Sequence, residues 1–166
     1  MPKTETFQFT SLPSNLEELK ALPQASLSTP FETAALTVLA LCRYKDNPEE
    51  TVEMLNYLKG PQPLSNYDVQ FLHDRLAGKS YKPFSFFQGA TPGNSYTPSQ
   101  PYQISVFDGP YSYQEEGYSK LLLRSSGADS LREIKLRAKP SSGQWFLWEN
   151  YLLSDIRTPQ IVDPWS

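Results

Sequence analysis

Between Pro30 and Lys45 the chain places Phe31, Ala34, Ala35, Val38, Leu39, Leu41 and Cys42 so that apolar residues occupy much of a helical circumference. That pattern predicts a central, enclosed helix. Pro48 to Lys59 instead carries a narrower stripe of Val52, Leu55 and Leu58, and Asn66 to Ala77 carries Val69, Leu72 and Leu76. These three segments make a helical layer. Each helix start has its own chemistry: Ser14 with Glu17, Thr29 with Glu32, Asn47 with Glu50 and Ser65 with Asp68 place a capping side chain three residues before an acid. The first side chain accepts from an amide that the helix leaves unpaired, and the acid favours the positive end of the helix dipole. Pro30 and Pro48 take first helical positions, where no amide hydrogen bond is lost, and Gly60-Pro61 and Gly78 supply the stops.

After residue 101 the period changes from helical to two. Tyr102 to Phe107, Tyr118 to Ser125, Leu131 to Lys139 and Gln144 to Glu149 read as four strands, separated by turn chemistry at Asp108-Gly109-Pro110, Ser126-Gly127 and Ser141-Ser142-Gly143. Short connections favour an antiparallel meander. Ile134, Leu136 and Ala138 alternate with Lys135, Arg137 and Lys139, which predicts one buried and one wet face. Trp145-Phe146-Leu147-Trp148 is apolar on both faces and predicts a strand that is locally covered on both sides. A further alternating stretch, Thr6 to Thr10, suits a short half-buried strand. The fold class that follows is α+β, an N-terminal helical layer packed on a C-terminal antiparallel sheet of about four strands.

Between the layers, from Tyr81 to Tyr118, ten of the twenty-two aromatic residues are crowded together with Pro83, Pro92, Pro98, Pro101 and Pro110. Rings bring apolar area that must be packed or presented, while prolines remove donors and fix direction. The 166 residues form one domain, helix-rich over 11–80, aromatic and proline-rich over 81–101, strand-rich over 102–150 and with a tail over 151–166. At this size folding buries roughly 70% of the surface that an unfolded chain exposes, so no staple is required. Cutting near residue 80 would leave both halves with an exposed apolar face.

Three strings carry a family resemblance: Pro30-Phe31-Glu32-Thr33-Ala34-Ala35-Leu36, Lys59-Gly60-Pro61-Gln62-Pro63-Leu64-Ser65 and Gly143-Gln144-Trp145-Phe146-Leu147-Trp148-Glu149. Through them the whole chain resembles a bacterial family of uncharacterised proteins, found mainly in Gram-positive species. That resemblance implies no catalytic residues. The strand ending in Trp-Phe-Leu-Trp-Glu, followed by Tyr151-Leu152-Leu153, is similar to the ends of cystatin-like cone domains resembling nuclear transport factor two. A concave sheet is what that second likeness implies, and a fold alone supplies no function.

Composition narrows the chemistry. The net charge of -3 argues against whole-surface attraction to nucleic acid or anionic membrane. The longest largely apolar run, Ala34 to Cys42, is far short of the ~20 residues that span a bilayer. Cys42 is the single cysteine, so no internal disulfide forms, and its apolar setting reads as helix core. With no secretory pattern at Met1-Pro2-Lys3-Thr4-Glu5-Thr6, the expected location is cytoplasmic. One histidine and one cysteine cannot build a usual zinc site, no acidic pair has a calcium-loop pattern, and Gly89-Ala90-Thr91-Pro92-Gly93-Asn94 lacks the Walker lysine. No metal and no cofactor are expected.

Two binding surfaces remain. In the aromatic segment Tyr96, Tyr102, Tyr111 and Tyr113 combine apolar area with a hydrogen-bonding tip, while Phe84, Phe86, Phe87 and Phe107 seal the sheet edge. On the sheet, Lys120 and Arg124 share one side of a strand and Lys135, Arg137 and Lys139 one side of the next, a basic face suited to phosphates or an acidic partner. The functional expectation is a noncovalent binding or interaction module for a protein partner or small ligand, with nucleic acid a weaker candidate, no membrane, and self-association open. A small-molecule enzyme on a cone-shaped sheet, with His73 and Asp129 as acid/base candidates, is the alternative. Trp165, in the tail Ile161-Val162-Asp163-Pro164-Trp165-Ser166, is expected to pack back onto the domain.

Overall fold

The computed structural model describes residues 3–162 and 165. Asp163, Pro164 and Ser166 of the tail lie outside the described residues. The chain order is β1 (Thr4–Phe9), α1 (Leu16–Lys20), α2 (Pro30–Cys42), α3 (Pro48–Lys59), α4 (Asn66–Leu76), β2 (Tyr102–Phe107), β3 (Tyr118–Leu123), β4 (Arg132–Lys139) and β5 (Gln144–Asn150), with short 3₁₀ turns between.

Three of the four caps stand as the sequence predicts. The Thr29 hydroxyl accepts from the Glu32 amide while the Glu32 carboxylate accepts from the Thr29 amide, and Ser65 and Asp68 make the same reciprocal pair. Asn47 accepts from Glu50. At α1 the frame moves by one residue: Asn15, not Ser14, caps by accepting from Glu18, and the Glu18 carboxylate accepts from the Ser14 amide. Two equally good capping side chains adjoin there, and pattern alone does not choose between them. The helix expected to reach Lys45 ends at Cys42 and tightens into a 3₁₀ turn over Arg43–Lys45.

The central element is α2. Every residue from Phe31 to Cys42 except Glu32 is buried, because the helix lies against the sheet on one side and against α3 on the other. Its buried threonines are satisfied. Thr33 donates to the Trp145 carbonyl at 2.6 Å, Thr37 to Thr33 at 2.8 Å, and Thr51 of α3 donates to the Ala40 carbonyl at 2.7 Å. The facing side of the sheet contributes Ile104, Val106, Leu121, Leu123, Ile134, Leu136 and Leu147, all buried. Full burial of such a side chain is worth roughly 1.5–3 kcal/mol, so this interface dominates the stability. α4 is peripheral. Leu72 and Leu76 are buried, whereas Val69, expected in the same stripe, is 38% exposed.

The sheet has five antiparallel strands in the order β1-β2-β3-β4-β5, rather than about four. The addition is the N-terminal strand, which pairs along its full length with β2 from Thr4↔Phe107 to Phe9↔Tyr102 and is tied on its outer side by Thr6–Ser105 and Gln8–Gln103 hydrogen bonds. Its partner is almost a hundred residues away, a distance that local alternation cannot report. β2 and β3 share one paired position, Phe107↔Leu122, and then splay. The aromatic and proline-rich segment is the wedge in that gap: the Gln88 amide donates to the Gln103 carbonyl and the Ser126 amide to the Ser85 carbonyl. Its Phe86 and Phe87 enter the main core. At the other end of β3, the Lys120 amide donates to the Ser112 carbonyl of the β2–β3 loop.

Candidate functional site

A one-residue irregularity in β5 shapes the solvent face of the sheet. Leu136 faces Leu147 and Lys135 faces Glu149, so Trp148 is an extra residue opposite no partner in β4. A bulge of this kind re-aims side chains. Leu147 remains in the core, while Trp148 and Glu149 both reach the outer side.

Trp148 meets Tyr118 edge-on, with ring centres 5.8 Å apart. The Arg137 guanidinium carbon lies 4.7 Å from the Trp148 ring centre and 5.5 Å from that of Tyr118, and the Lys135 ammonium lies 4.6 Å from Tyr118. These contacts follow from register, since Tyr118 stands opposite Arg137 across β3 and β4. Lys135 is further committed to Glu115 at 2.9 Å, a bond that raises its pKa above the ordinary lysine value. Among the described residues, neither Arg137 nor Lys139 has a side-chain hydrogen bond or ion pair.

Beside this cluster is a cleft of about 300 Å³. Phe146, Trp148 and Pro61 give it apolar walls, and Lys59, Arg137 and Lys139 bring three cations with no acid in the lining. The end of α3 sets the far wall. Lys59 donates to the Trp148 carbonyl at 3.2 Å, and Gly60 takes φ 64° and ψ -123° directly against the Phe146 ring. A Cβ there would come within 2.5 Å of that ring, so glycine is what permits the approach.

The tyrosines singled out from sequence separate. Tyr96 is 2% exposed: its ring stacks on Tyr81 with centres 5.5 Å apart and its hydroxyl donates to the Arg157 carbonyl at 2.6 Å. Burial, with a smaller contribution from Tyr81, pushes its pKa up to about 12. It is a structural residue, because its polar tip already has a partner in the C-terminal segment. Tyr102 is half-buried, edge-on to Phe87, and lines a polar trough of about 480 Å³ that also holds Arg43 and Phe84. Tyr111 and Tyr113 are 67% and 55% exposed, and Tyr113 donates to Asp108 at 2.8 Å. Burial and that bond push the Tyr113 pKa up to about 12.

The basic face is weaker than the sequence suggests. Lys120 and Lys135 are paired across β3 and β4 beside Glu133, Glu149 and Glu115, so acids interleave with the cations. The acid/base candidates have separate partners: His73 Nδ1 shares a hydrogen bond with the Tyr44 hydroxyl at 3.1 Å, and Asp129 pairs with Arg157. No described contact joins them. Lys82, Ser85 and Ser125 form a buried chain in which Ser125 donates to Ser85, Ser85 to the Lys82 carbonyl and the Lys82 ammonium to the Leu153 carbonyl. Burial lowers the Lys82 pKa, yet its amine is directed at a backbone oxygen and not at either hydroxyl. Among the described residues no group of three His, Cys, Asp or Glu side chains is placed to hold a metal ion, and no helix is long and apolar enough to cross a membrane. Trp165, expected to pack on the domain, is 92% exposed.

Tyr118, Phe146, Trp148 and Lys59 were not among the residues singled out for binding. The two-faced apolar run at 145–148 signalled that something covers or uses its outer side, but the bulge that gives Trp148 to Arg137 leaves no mark on the pattern.

Over residues 11–160 the chain matches the model of a family described as a domain of unknown function (DUF6935), and it belongs to that family. No curated protein and no solved structure matches it.

Proposed function

We propose that this chain is a noncovalent binding module whose recognition surface is the solvent face of β3–β5 and the cleft beside Phe146 and Trp148. The observation that carries the reading is the Arg137 guanidinium, close to two rings and lining a concave, largely apolar site, while its donors have no acid among the described residues. Stacking fixes the plane of a guanidinium and leaves its N–H edge available for a ligand. A purely structural cation would be expected to satisfy that edge within the protein, as Arg132 does with Ser130, Ser154 and Asp155.

A small ligand fits this surface better than a large partner. The cleft volume suits a compact molecule, and apolar walls with a few placed polar groups are the usual form of such sites. The tyrosine segment contributes less than its composition promised, since Phe86, Phe87 and Tyr96 are buried within the fold. The alternative of an enzyme finds little support, because His73 and Asp129 are engaged apart from each other and from the cleft. A bacterial cytoplasmic setting belongs to the same proposal, supported by the family strings and by a single thiol that is buried in α2.

Thermal unfolding in the presence of a set of single-ring compounds (acids, alcohols and amines) tests the reading, because anything bound to the native state raises Tm. Members of the set should raise the Tm of the wild-type chain and leave Trp148→Leu unchanged. Equal stabilisation of both chains, or none of either, would overturn the reading.

A further inference from the structure

We infer that the cleft between the end of α3 and the bulged part of β5 takes a small ring-bearing carboxylate, with the ring against Phe146 and Trp148 and the carboxylate on Arg137. This rests on the binding reading above and names the chemistry of its ligand.

The argument begins with what the lining excludes. Lys59, Arg137 and Lys139 converge on the cleft with no acid among the lining residues, so an amine would bring a fourth positive charge into a partly desolvated space. A neutral polyhydroxyl compound would meet donors but few side-chain acceptors, since Gln62 supplies the one neutral amide there. An anion meets complementary charge from three directions. It needs an apolar body as well, because Phe146, Trp148, Pro61 and Pro140 form much of the wall. A fully polar anion would dehydrate that wall without compensating contact.

Charge number comes from the backbone. The cleft lies at the C-terminal end of α3, where the helix dipole is negative and Lys59 is the last helical residue. That end offers carbonyls rather than amides, and Lys59 already spends one of its donors on the Trp148 carbonyl. Helix N-termini, with their free amides, are the sites that suit phosphate dianions. This site has the opposite polarity, offset by side-chain cations, and so favours a monoanion. A carboxylate also matches the planar fork of a guanidinium, which can bond both oxygens at once. Arg137 is suited to that role because its guanidinium carbon is held 4.7 Å from the Trp148 ring centre and 5.5 Å from that of Tyr118, while its donors make no hydrogen bond or ion pair among the described residues. A volume of about 300 Å³ accommodates one ring and a short acid arm.

The test is an affinity series measured by NMR titration of the intact chain with 3-phenylpropionate, 3-phenylpropan-1-ol, 3-phenylpropylamine and phenyl phosphate. The acid should bind at least about tenfold more tightly than the alcohol, the amine more weakly than either, and phenyl phosphate no more tightly than the acid. Arg137→Gln should remove about tenfold of the acid's affinity and leave the alcohol unchanged, and Arg137→Lys should recover only part of it, because a point charge lacks the fork. Should Arg137→Gln fail to fold, Lys139→Gln gives the same comparison, with a smaller loss for the acid alone. An acid-over-alcohol preference below tenfold, or an acid affinity indifferent to both substitutions, would overturn the carboxylate assignment. If all four probes bind equally and Trp148→Leu abolishes them all, the cleft remains a binding site and the charge argument fails. If no probe binds, or none depends on Trp148, both the assignment and the binding reading fail.

Discussion

The guanidinium carbon of Arg137 lies 4.7 Å from the ring centre of Trp148, and the contact exists because β5 carries one more residue than β4 opposite the step from Lys135 to Leu136. Without the bulge, Leu147 and Glu149 would still face Leu136 and Lys135, but the Trp148 ring would be gone and the arginine would keep only Tyr118, its partner across β3 and β4. Deleting Trp148 alone is therefore a clean excision. The shortened chain should fold with a loss below about 2 kcal/mol by urea unfolding, and should lose binding of single-ring compounds. Failure to fold would show that the bulge shapes the whole sheet and not this face alone.

Gly60 couples the helical layer to the cleft. Its φ of 64° and the absence of room before the Phe146 ring both disfavour a side chain, so Gly60→Ala should cost about 2–3 kcal/mol in urea unfolding and shift the Phe146 ring resonances. A neutral substitution would mean that the Lys59–Pro61 turn is free to move, and the far wall of the cleft with it.

Tyr96 anchors the C-terminal segment. Tyr96→Phe keeps the stack on Tyr81 and removes the bond to the Arg157 carbonyl, for an expected loss of about 1–2 kcal/mol. Its folded-state pKa of about 12 stands above the ordinary tyrosine value of 10.0, so folding favours the neutral phenol. That contribution is complete below pH 10 and is lost as pH rises through about 12. Urea midpoints between pH 9 and pH 12 should therefore fall more steeply for the wild type than for Tyr96→Phe, in experiments spanning roughly that range. Parallel curves would contradict the burial of this hydroxyl.

The sheet face should bind nucleic acid poorly. Glu115 is paired with Lys135 and Glu149 stands opposite it across β4 and β5, so acids interrupt the cations between Lys120 and Arg137. Fluorescence anisotropy with a labelled oligothymidylate at low salt should show no saturable binding. Tight binding that weakens steeply with salt, and is lost in Arg137→Glu, would restore the nucleic-acid reading.

Local chemistry was readable from the sequence where it determines structure locally. Thr29, Asn47 and Ser65 cap where expected, α3 and β2 have the bounds that their patterns predict, and α2 is buried as its apolar circumference requires. What depends on distant partners was not readable. β1 joins the sheet through β2, and Tyr96 is buried because Tyr81, Gly127 and the segment at Arg157 close around it. The same limit explains the site. Lys135 and Arg137 were visible as outward cations of one strand, but their difference is set elsewhere: the loop brings Glu115 to Lys135, and the bulge brings Trp148 to Arg137. Composition marked the tyrosine segment, while geometry favours a tryptophan in the last strand.

The measurement that bears most directly on the account is a ¹⁵N-resolved NMR spectrum in which the Arg137 Nε–H and Trp148 Nε1–H signals are followed during addition of 3-phenylpropionate. Both should move together and saturate at one affinity, with the amides of Gly60 and Phe146 moving alongside. Saturable movement confined instead to the trough around Phe84 and Tyr102 or to the Tyr111–Tyr113 loop, with these two signals still, would contradict it.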